Sequence, residues 1–530
     1  MSVGIVTLKN RASVLSRNCL STVAANSRGN ALKTGTASAR RADGSACANA
    51  QNRTHWLWFD ATRMATEENS PDMTVRPLAE QLAAYAHGLH FEDLDSATIE
   101  RVKMHVTDAI GCGIGAFDER PVRICRDVAL AVPGNSTIIG TNRRATADLA
   151  AFANCAALRY LDFNDTYVGR FSVHPSDHIA ACFAVAEAES SSAQELVTAI
   201  VVAYEVNCRL VDACDISTRG WDSTVMSLPA VALAAGKLMK LASDQLTHAV
   251  NIAINDHIPM AQTRVQTLSD WKGLSDAEAS RNAVFAALLA RNGLTGPAPI
   301  FEGRSGFFQQ VTGPASVDAD AFGRRGVPFR IHQCSLKRYP AVIYTQTAIV
   351  AAIEIAKQVG SLDRIAAIEI ATTRRGYQRT GSELEKWSPE TRDTADHSLP
   401  YITARAMFDG GIANETFEPH KFRDPRILAF MRKITVNEDP SLTARQGASA
   451  PTRVTAILVD GQRISREVDH APGFAKSPMS RADVEKKFRD NVGKRWPSGQ
   501  TDAVLAVLWE FDRMDDLAAF LGKLSVQVNV

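Results

Sequence analysis

The sequence has few cysteines, no long apolar run and no surplus of charge of either sign, and each absence excludes a class of protein. Its 530 residues include nine cysteines, none spaced as Cys-x-x-Cys, which argues against a thiolate zinc site and for a reducing compartment. The apolar run from Leu196 to Val206 is interrupted by Thr198 and Glu205, and it is shorter than the roughly 18 residues that a membrane span needs. The 59 Lys and Arg residues balance 58 Asp and Glu residues, so the clustered basic surplus of nucleic-acid binders is missing. We therefore expect no membrane insertion and no nucleic-acid partner.

The first 63 residues differ from the rest in composition. They contain nine basic and two acidic residues and are rich in Ser, Ala, Asn and Thr, which does not provide an apolar core. Two interpretations stay open. The segment is an organellar transit peptide, which would place the protein in the mitochondrial matrix, or it is an over-long translation start before Met64 or Met73, which would leave the protein cytoplasmic. We treat residues 1–72 as a disordered leader or over-long start.

Apolar residues in the remaining chain follow a helical period first, then a strand period, then a helical period again. Leu78, Leu82, Tyr85 and Leu89 form one helical stripe. Further helical segments are predicted at 96–116, 149–161, 178–188, 193–214 and 225–241.

The strand period begins in the second half of the chain. Residues 364–373 alternate as a strand does, and 453–468 contain Asp460-Gly461, a strong hairpin signal. Residues 480–524 are helical again. This order predicts a mainly α protein with an α+β insert: residues 73–335 and 473–530 form a large all-helical domain, and residues 336–472 form a smaller α+β domain.

Groups that can move protons are concentrated in residues 160–177, which read YLDFNDTYVGRFSVHPSD. The segment places Asp162, Thr166 and His174 between two apolar helices. A carboxylate, a hydroxyl and an imidazole close together can transfer protons. The same composition suits a surface loop with an N-cap, and the residues alone leave both interpretations open.

Cationic and polar side chains next to Trp, Tyr or Pro recur elsewhere and suit a pocket for a small anion. They are Arg264, Lys272, Lys337, Arg338, His397 and Tyr401. The sequence has no GxGxxG after a strand, no phosphate loop, no HExxH and no GxSxG. It also lacks metal-ligand spacing, so we expect neither a metal nor an organic cofactor.

Several separated motifs together resemble the MmgE/PrpD family, and within it the 2-methylcitrate dehydratase branch. LDFNDT at 161–166 is followed by HPSD at 174–177. In the same order as in the family come DAIGCGIGA (108–116), WKG (271–273), GPAPIFEG (296–303), KRYPA (337–341) with QTA (346–348), and ADHSLPY (395–401).

The resemblance implies a large helical domain covered by an α+β lid, in a homodimer that acts without metal or organic cofactor. It implies a hydro-lyase that dehydrates 2-methylcitrate or a related small tricarboxylate. Two alternatives remain. One is decarboxylation or dehydration of another citrate-like acid on the same scaffold, and the other is a catalytically silent binding protein.

Site residues carried over from the family are Asp162, Thr166, His174, Lys272 and Tyr401. Relatives have histidines where this chain has Ser223 and Tyr344. In the implied elimination, His174 transfers the proton, and Asp162 either orients and tunes the imidazole or transfers the proton itself.

The remaining roles concern the substrate's carboxylates and its leaving group. Lys272 with Lys337 or Arg338 binds the carboxylates, and Arg264 and His397 line the substrate site. Tyr344 or Tyr401 protonates the departing hydroxyl.

Overall fold

Helices dominate the part of the chain that the structure describes. The structure is a computed structural model that describes residues 76–216 and 219–527, so the leader predicted for 1–72 lies outside the described residues. The helices before residue 335 are α1 Leu78–Gly88, α2 Ser96–Gly115, α3 Arg120–Ala129, α4 Ala147–Tyr160, α5 Asp177–Ala188, α6 Ala193–Ala213, α7 Ser227–Leu238, α8 Ser243–Asn255 and α9 Ser275–Arg291. Two short hairpins join them, β1 Ser136–Thr137 with β2 Arg144–Ala145, and β3 Tyr167–Val168 with β4 Ser172–Val173.

Glycines in α2 allow close helix packing. A Cβ atom on Gly113 would lie 2.8 Å from the Leu158 side chain of α4, and one on Gly111 would lie 2.9 Å from Phe488, a residue of the C-terminal part. Both distances are too short for ordinary contacts. The glycines of DAIGCGIGA therefore serve helix packing.

The middle of the chain folds around one four-stranded sheet. The strands are β5 Ile365–Thr372, β6 Ile434–Glu438, β7 Thr452–Leu458 and β8 Arg463–Val468, in the order β6-β5-β7-β8. β5 pairs in parallel with β6, and β7 pairs antiparallel with both β5 and β8. The predicted strand and hairpin are confirmed, and Gly461 in the turn has a φ of 86° that favours glycine. The helices beside the sheet are α10 Gln346–Val359, α11 Arg374–Thr380, α12 Arg392–Ala395, α13 Leu399–Asp409, α14 Pro419–Phe422, α15 Pro425–Met431 and α16 Pro440–Ala444.

The chain ends in helices that pack on the first group. They are α17 Arg481–Val492, α18 Ser498–Trp509 and α19 Leu517–Lys523. One apolar cluster contains residues of 78–336 together with residues of 479–524, and a second contains residues of 341–464. The fold class, mainly α with a small α+β part, is confirmed. The boundaries at 335 and 472 stay a prediction.

Backbone contacts join the polar segment to the start of the α+β part. Thr166 and Ser335 form an antiparallel bridge with two N···O distances of 2.8 Å, and the Leu336 N–H donates to the Gly473 carbonyl at 2.9 Å. These contacts carry the following residue, Lys337, toward the end of α4. Within the described residues, no helix has the length and apolar content to cross a membrane.

Candidate active site

Asp162 is the centre of a buried cluster of charges at the end of α4. Its φ of 50° turns the chain out of the helix, and its side chain is 1% exposed. Its Oδ1 atom accepts hydrogen bonds from Arg159 Nη1 at 2.6 Å and from Lys337 Nζ at 2.8 Å. Lys272 Nζ lies 3.6 Å from Oδ2. Burial alone would raise the pKa of Asp162, but Lys272, Lys337 and Arg159 hold this pKa well below its ordinary value. Asp162 is therefore a fixed anion that holds cations in place.

His174 faces this anion with an unprotonated nitrogen. Its Nδ1 lies 2.7 Å from the Asp165 carbonyl oxygen and 3.2 Å from Thr166 Oγ1. A carbonyl oxygen only accepts, so Nδ1 carries the proton and Nε2 is left with a free lone pair. Nε2 lies 3.9 Å from Asp162 Oδ1. Burial lowers the pKa of His174 well below its ordinary value, and Arg159 and Lys337 lower it further. The neutral imidazole is thus available as a base.

The Asp165 side chain holds the loop that carries His174. Its carboxylate accepts hydrogen bonds from the Tyr204 hydroxyl at 2.8 Å and from the Ser176 backbone N–H at 3.0 Å, and His105 Nδ1 lies 2.8 Å away. All of these groups are buried. These buried contacts of the Asp165 carboxylate therefore fix the conformation of the loop at His174.

Lys337 is a cation whose proton is held weakly. Its ammonium group donates to Asp162 Oδ1 and to the Asp162 carbonyl, both at 2.8 Å. Burial lowers the pKa of Lys337 to about 8, with Asp162 opposing and Arg159 adding to the shift. A lysine of this pKa can give up a proton near neutral pH.

A second imidazole reaches the cluster from the α+β part. His397 Nδ1 lies 2.5 Å from Asp396 Oδ1, so this nitrogen donates to the carboxylate and Nε2 is unprotonated. Burial, together with the nearby Lys272 charge, lowers the pKa of His397 to about 4. The His174 and His397 side chains are 15% and 13% exposed, whereas those of Lys272 and Lys337 are fully buried. The two imidazoles are the members of the cluster that solvent reaches.

Three of these side chains could by distance share a metal ion. Ligand atoms of Asp162, Asp396 and His397 lie within 4.8 Å of one another. The Lys272 ammonium group lies 3.4 Å from both Asp396 oxygens and 3.6 Å from Asp162 Oδ2. A protein cation therefore already stands between the two carboxylates, and this donor set does not fit a divalent ion.

A further carboxyl group lies beside Lys272. Asp393 Oδ1 is 4.0 Å from Lys272 Nζ and is buried without a hydrogen-bond partner. Burial raises the pKa of Asp393 to about 7. The Lys272 charge opposes this shift, and the Asp396 charge adds to it. A proton can thus reside on Asp393 near neutral pH.

Five of the residues predicted for the site converge, and Thr166 contacts one of them through its hydroxyl. The five are Asp162, His174, Lys272, Lys337 and His397. Sequence reasoning missed Arg159 and Asp396 as site residues. A lone arginine near the end of an Ala-rich, buried helix was the available signal for Arg159, because an unpaired buried charge is costly. Asp396 had only its position next to His397 as a signal.

Arg264 supports the site without being free to bind substrate. It pairs with both Asp222 oxygens, at 2.7 and 3.2 Å, and its Nη1 donates to the Lys272 carbonyl at 2.8 Å. It therefore positions the backbone of Lys272. Ser223, at one of the two departures from the family pattern, lies next to this pair, with Oγ 3.4 Å from Asp222 Oδ1.

The two tyrosines and Arg338 lie elsewhere. The Tyr401 hydroxyl donates to the Thr416 carbonyl in the core of the α+β part, because the first turn of α13 directs this ring away from His397. Tyr344 packs in an apolar cluster with Val168 and Phe474. Arg338 is half-buried, and its charge acts on Tyr339 and Asp483. Within the described residues, none of the three has a hydrogen bond or ion pair to the five converging residues, which we call the Asp162 cluster. The catalytic roles predicted for Tyr344 and Tyr401 therefore gain no support from the geometry.

Comparison with known proteins covers most of the chain. The model of the MmgE/PrpD N-terminal domain matches residues 80–320, and that of the MmgE/PrpD C-terminal domain matches residues 339–511. A protein named 2-methylcitrate dehydratase from Cupriavidus necator is 26% identical over 446 residues, which cover 77% of this chain and 88% of the relative. One of the same name from Escherichia coli K12 is 24% identical, covering 81% and 93%. Human cis-aconitate decarboxylase is 25% identical, covering 84% and 94%.

Proposed function

The chain belongs to the MmgE/PrpD family, and on this premise we propose that it is a hydro-lyase that removes water from 2-methylcitrate or a closely related hydroxy tricarboxylate. Its relatives include dehydratases and decarboxylases by name, so lyase chemistry on citrate-like acids is common to them. The 2-methylcitrate dehydratases supply the proposed substrate.

Such an elimination needs a base and a nearby positive charge. The proton to be removed lies beside a carboxylate, so it is weakly acidic, and its removal adds negative charge to an anion. Fixed cations lower the free energy of that transition state. Lys272 and Lys337 are these cations, and the two partly exposed imidazoles, His174 and His397, lie on the side of the cluster that solvent reaches.

The observation that carries the proposal is the 2.7 Å contact between His174 Nδ1 and the Asp165 carbonyl oxygen, which indicates the tautomer of His174. Its Nδ1–H is held by the Asp165 carbonyl, so Nε2 faces the cluster with a free lone pair. This nitrogen takes the proton from carbon, and Asp162 stabilises the resulting imidazolium. Lys337, whose pKa is lowered to about 8, is then the best-placed donor for the departing hydroxyl.

Decarboxylation is a second candidate because the comparisons do not separate it from dehydration. The human decarboxylase is 25% identical to this chain and the Cupriavidus dehydratase 26%. The same cations would stabilise the carbanion left by loss of CO2. The two reactions differ in substrate: dehydration starts from a hydroxy acid, and decarboxylation starts from an unsaturated one.

Product analysis with three acids tests the proposal. The purified chain is incubated separately with 2-methylcitrate, citrate and cis-aconitate, while absorbance of a new carbon–carbon double bond and release of CO2 are followed. Dehydration predicts rising absorbance with 2-methylcitrate and no CO2. Release of CO2 from cis-aconitate, with no reaction of the hydroxy acids, would establish the decarboxylase instead.

A silent binding protein gives a third pattern. It would turn over none of the acids yet bind them in calorimetry, and that result would contradict both candidate reactions.

A further inference from the structure

One buried ion pair joins the polar segment to the C-terminal helices. Lys487 of α17 has its Nζ 2.7 Å from Asp108 Oδ1 in α2, and both side chains are buried. The same ammonium group donates to the Phe163 carbonyl at 2.6 Å and lies 3.9 Å from the centre of the Phe163 ring. Phe163 directly follows Asp162 in the chain. A lysine 324 positions away therefore contacts the turn that carries the central anion of the site.

Glycines of α2 allow the two helices to approach each other. Asp108, Gly111 and Gly115 lie on one face of α2, because residues three and seven apart do so in a helix. A Cβ atom on Gly111 would lie 2.9 Å from Phe488, and one on Gly115 would lie 3.4 Å from the Asn491 side chain, both in α17. This close packing brings the lysine of the ion pair within reach of the polar segment.

The backbone at Asp162 is held by ammonium groups on two consecutive carbonyls. Its φ of 50° lies in the left-handed region, which is uncommon for residues other than glycine and costs free energy. Lys337 donates to the Asp162 carbonyl, and Lys487 donates to the Phe163 carbonyl that follows. The orientation of these peptide groups determines where the Asp162 side chain leaves the backbone, and therefore where its carboxylate lies.

We propose that Asp108 and Lys487 are positioning residues for the elimination. Asp108 holds the Lys487 ammonium group, Lys487 holds the Phe163 carbonyl, and this contact keeps the Asp162 carboxylate between its three cations. Both residues act through Asp162 and not on the substrate. The effect on turnover rests on the function proposed above, whereas the effect on the turn does not.

Asp108→Asn combined with Lys487→Met tests the proposal. Removing one partner alone would leave a buried charge unpaired, whereas the double variant removes both charges. Amide hydrogen exchange, measured by mass spectrometry without substrate, should become at least about tenfold faster in residues 160–168, as loss of one charge-assisted hydrogen bond allows. The kcat for 2-methylcitrate should fall about 10- to 100-fold, because small misplacements of catalytic groups have effects of this size.

The pH profile separates positioning from a general loss of stability. The Asp162 charge raises the pKa of Lys337, whereas Arg159 and Lys272 lower it. If the Asp162 carboxylate moves away, the pKa of Lys337 falls, and the alkaline decline of kcat/KM should move to lower pH. The ion pair carries no net charge, so its removal does not itself account for this movement. A less stable fold with an intact turn would keep the wild-type profile.

Lys103 and Asp512 provide the matched control. They form another largely buried ion pair between α2 and the C-terminal part, at 2.7 Å. Within the described residues, neither has a hydrogen bond or ion pair to residues 160–168. Lys103→Met combined with Asp512→Asn should therefore leave both the exchange of residues 160–168 and the pH profile unchanged.

The contrary results are specific. Unchanged exchange in residues 160–168, equal effects of the two double variants, or faster exchange with a wild-type kcat would each overturn the proposal. A wild type that turns over none of the acids refutes the proposed function alone, and the exchange measurement still decides whether the pair holds the turn. If the double variant does not fold, Asp108→Asn alone decides, because a neutral amide holds the ammonium group less strongly. Wild-type exchange in that variant would contradict the proposal.

Discussion

The Nδ1–H group of His174 donates to the backbone carbonyl of Asp165 across 2.7 Å, and this contact determines which ring nitrogen can act as a base. Because a main-chain oxygen is the acceptor, the tautomer does not depend on the protonation of another side chain. Nε2 is left 3.9 Å from Asp162 Oδ1, on the side of the ring that faces the cationic cluster.

Lys337 should set the alkaline limb of the pH profile. Its pKa is lowered to about 8, so its protonated fraction falls as the pH rises through that value, and kcat/KM should fall with it. Arginine stays protonated over the whole range. Lys337→Arg should therefore remove the limb and slow turnover at every pH, because arginine does not release its proton.

The measurement is kcat/KM from about pH 6 to 10, a range spanning the pKa values of a lowered and an ordinary lysine. An alkaline limb that persists in Lys337→Arg would assign it to another group. Wild-type turnover by this variant would limit Lys337 to binding.

Removing the Tyr344 hydroxyl should have little effect. The ring packs among apolar side chains, and the described contacts give it no hydrogen bond to the cluster. We expect the turnover rate of Tyr344→Phe to stay within about threefold of the wild-type rate, since general acid–base groups contribute at least about 100-fold.

Tyr401→Phe serves as the comparison, because it loses a buried hydrogen bond and should lower the melting temperature without changing the chemistry. If Tyr344→Phe instead slowed turnover by about 100-fold, this tyrosine would be the proton donor in place of Lys337.

Asp162→Asn should destabilise the fold as well as stop catalysis. The change leaves Arg159, Lys272 and Lys337 buried without their common anion, and breaking a buried ion pair costs about 3–5 kcal/mol. The folded-state pKa of Asp162 is lowered below its ordinary value of 3.8. The stabilisation that the Asp162 carboxylate gives the fold is therefore fully present above about pH 3.8, and it is lost as the pH falls through the folded-state pKa.

Denaturant unfolding of the wild type and the variant at pH 7 and at pH 3 measures this effect. The difference in unfolding free energy between the wild type and Asp162→Asn should be smaller at pH 3 than at pH 7. A difference that is the same at both pH values would contradict the assigned pKa direction.

Turnover should survive chelation. The Lys272 ammonium group stands between Asp162 and Asp396, where a divalent cation would have to bind. Dialysis against a chelator should leave the turnover rate unchanged, and added Zn²⁺ or Fe²⁺ should not raise it. Loss of activity on chelation and its return with one metal would refute this account of the carboxylates.

The sequence predicted the fold class, mainly α with an α+β part, because apolar residues repeat with different periods in helices and strands. The 453–468 hairpin followed from Asp460-Gly461, and β5 from its alternation. β6 was not predicted, since five residues after a short helix give too little pattern. The convergence of Asp162 with Lys337 depends on the Thr166–Ser335 bridge, a contact between distant parts of the chain that no local pattern reports.

The predicted role of Tyr401 rested on its closeness to His397 in sequence, and helix geometry explains why the two side chains lie apart. His397 precedes α13 and Tyr401 lies in its first turn, so the two side chains point to different sides although only three residues separate them. Asp396, directly beside His397, reaches the cluster instead.

Hydrogen exchange at carbon tests the central claim, that His174 Nε2 removes the proton, most directly. The wild type and His174→Gln are incubated with 2-methylcitrate in D2O, and deuterium in the recovered hydroxy acid is measured by NMR. We predict that the wild type incorporates deuterium at the carbon that loses the proton. His174→Gln should exchange at least about 100-fold more slowly with an unchanged melting temperature. Exchange by His174→Gln at the wild-type rate would contradict the assignment of His174 as the base.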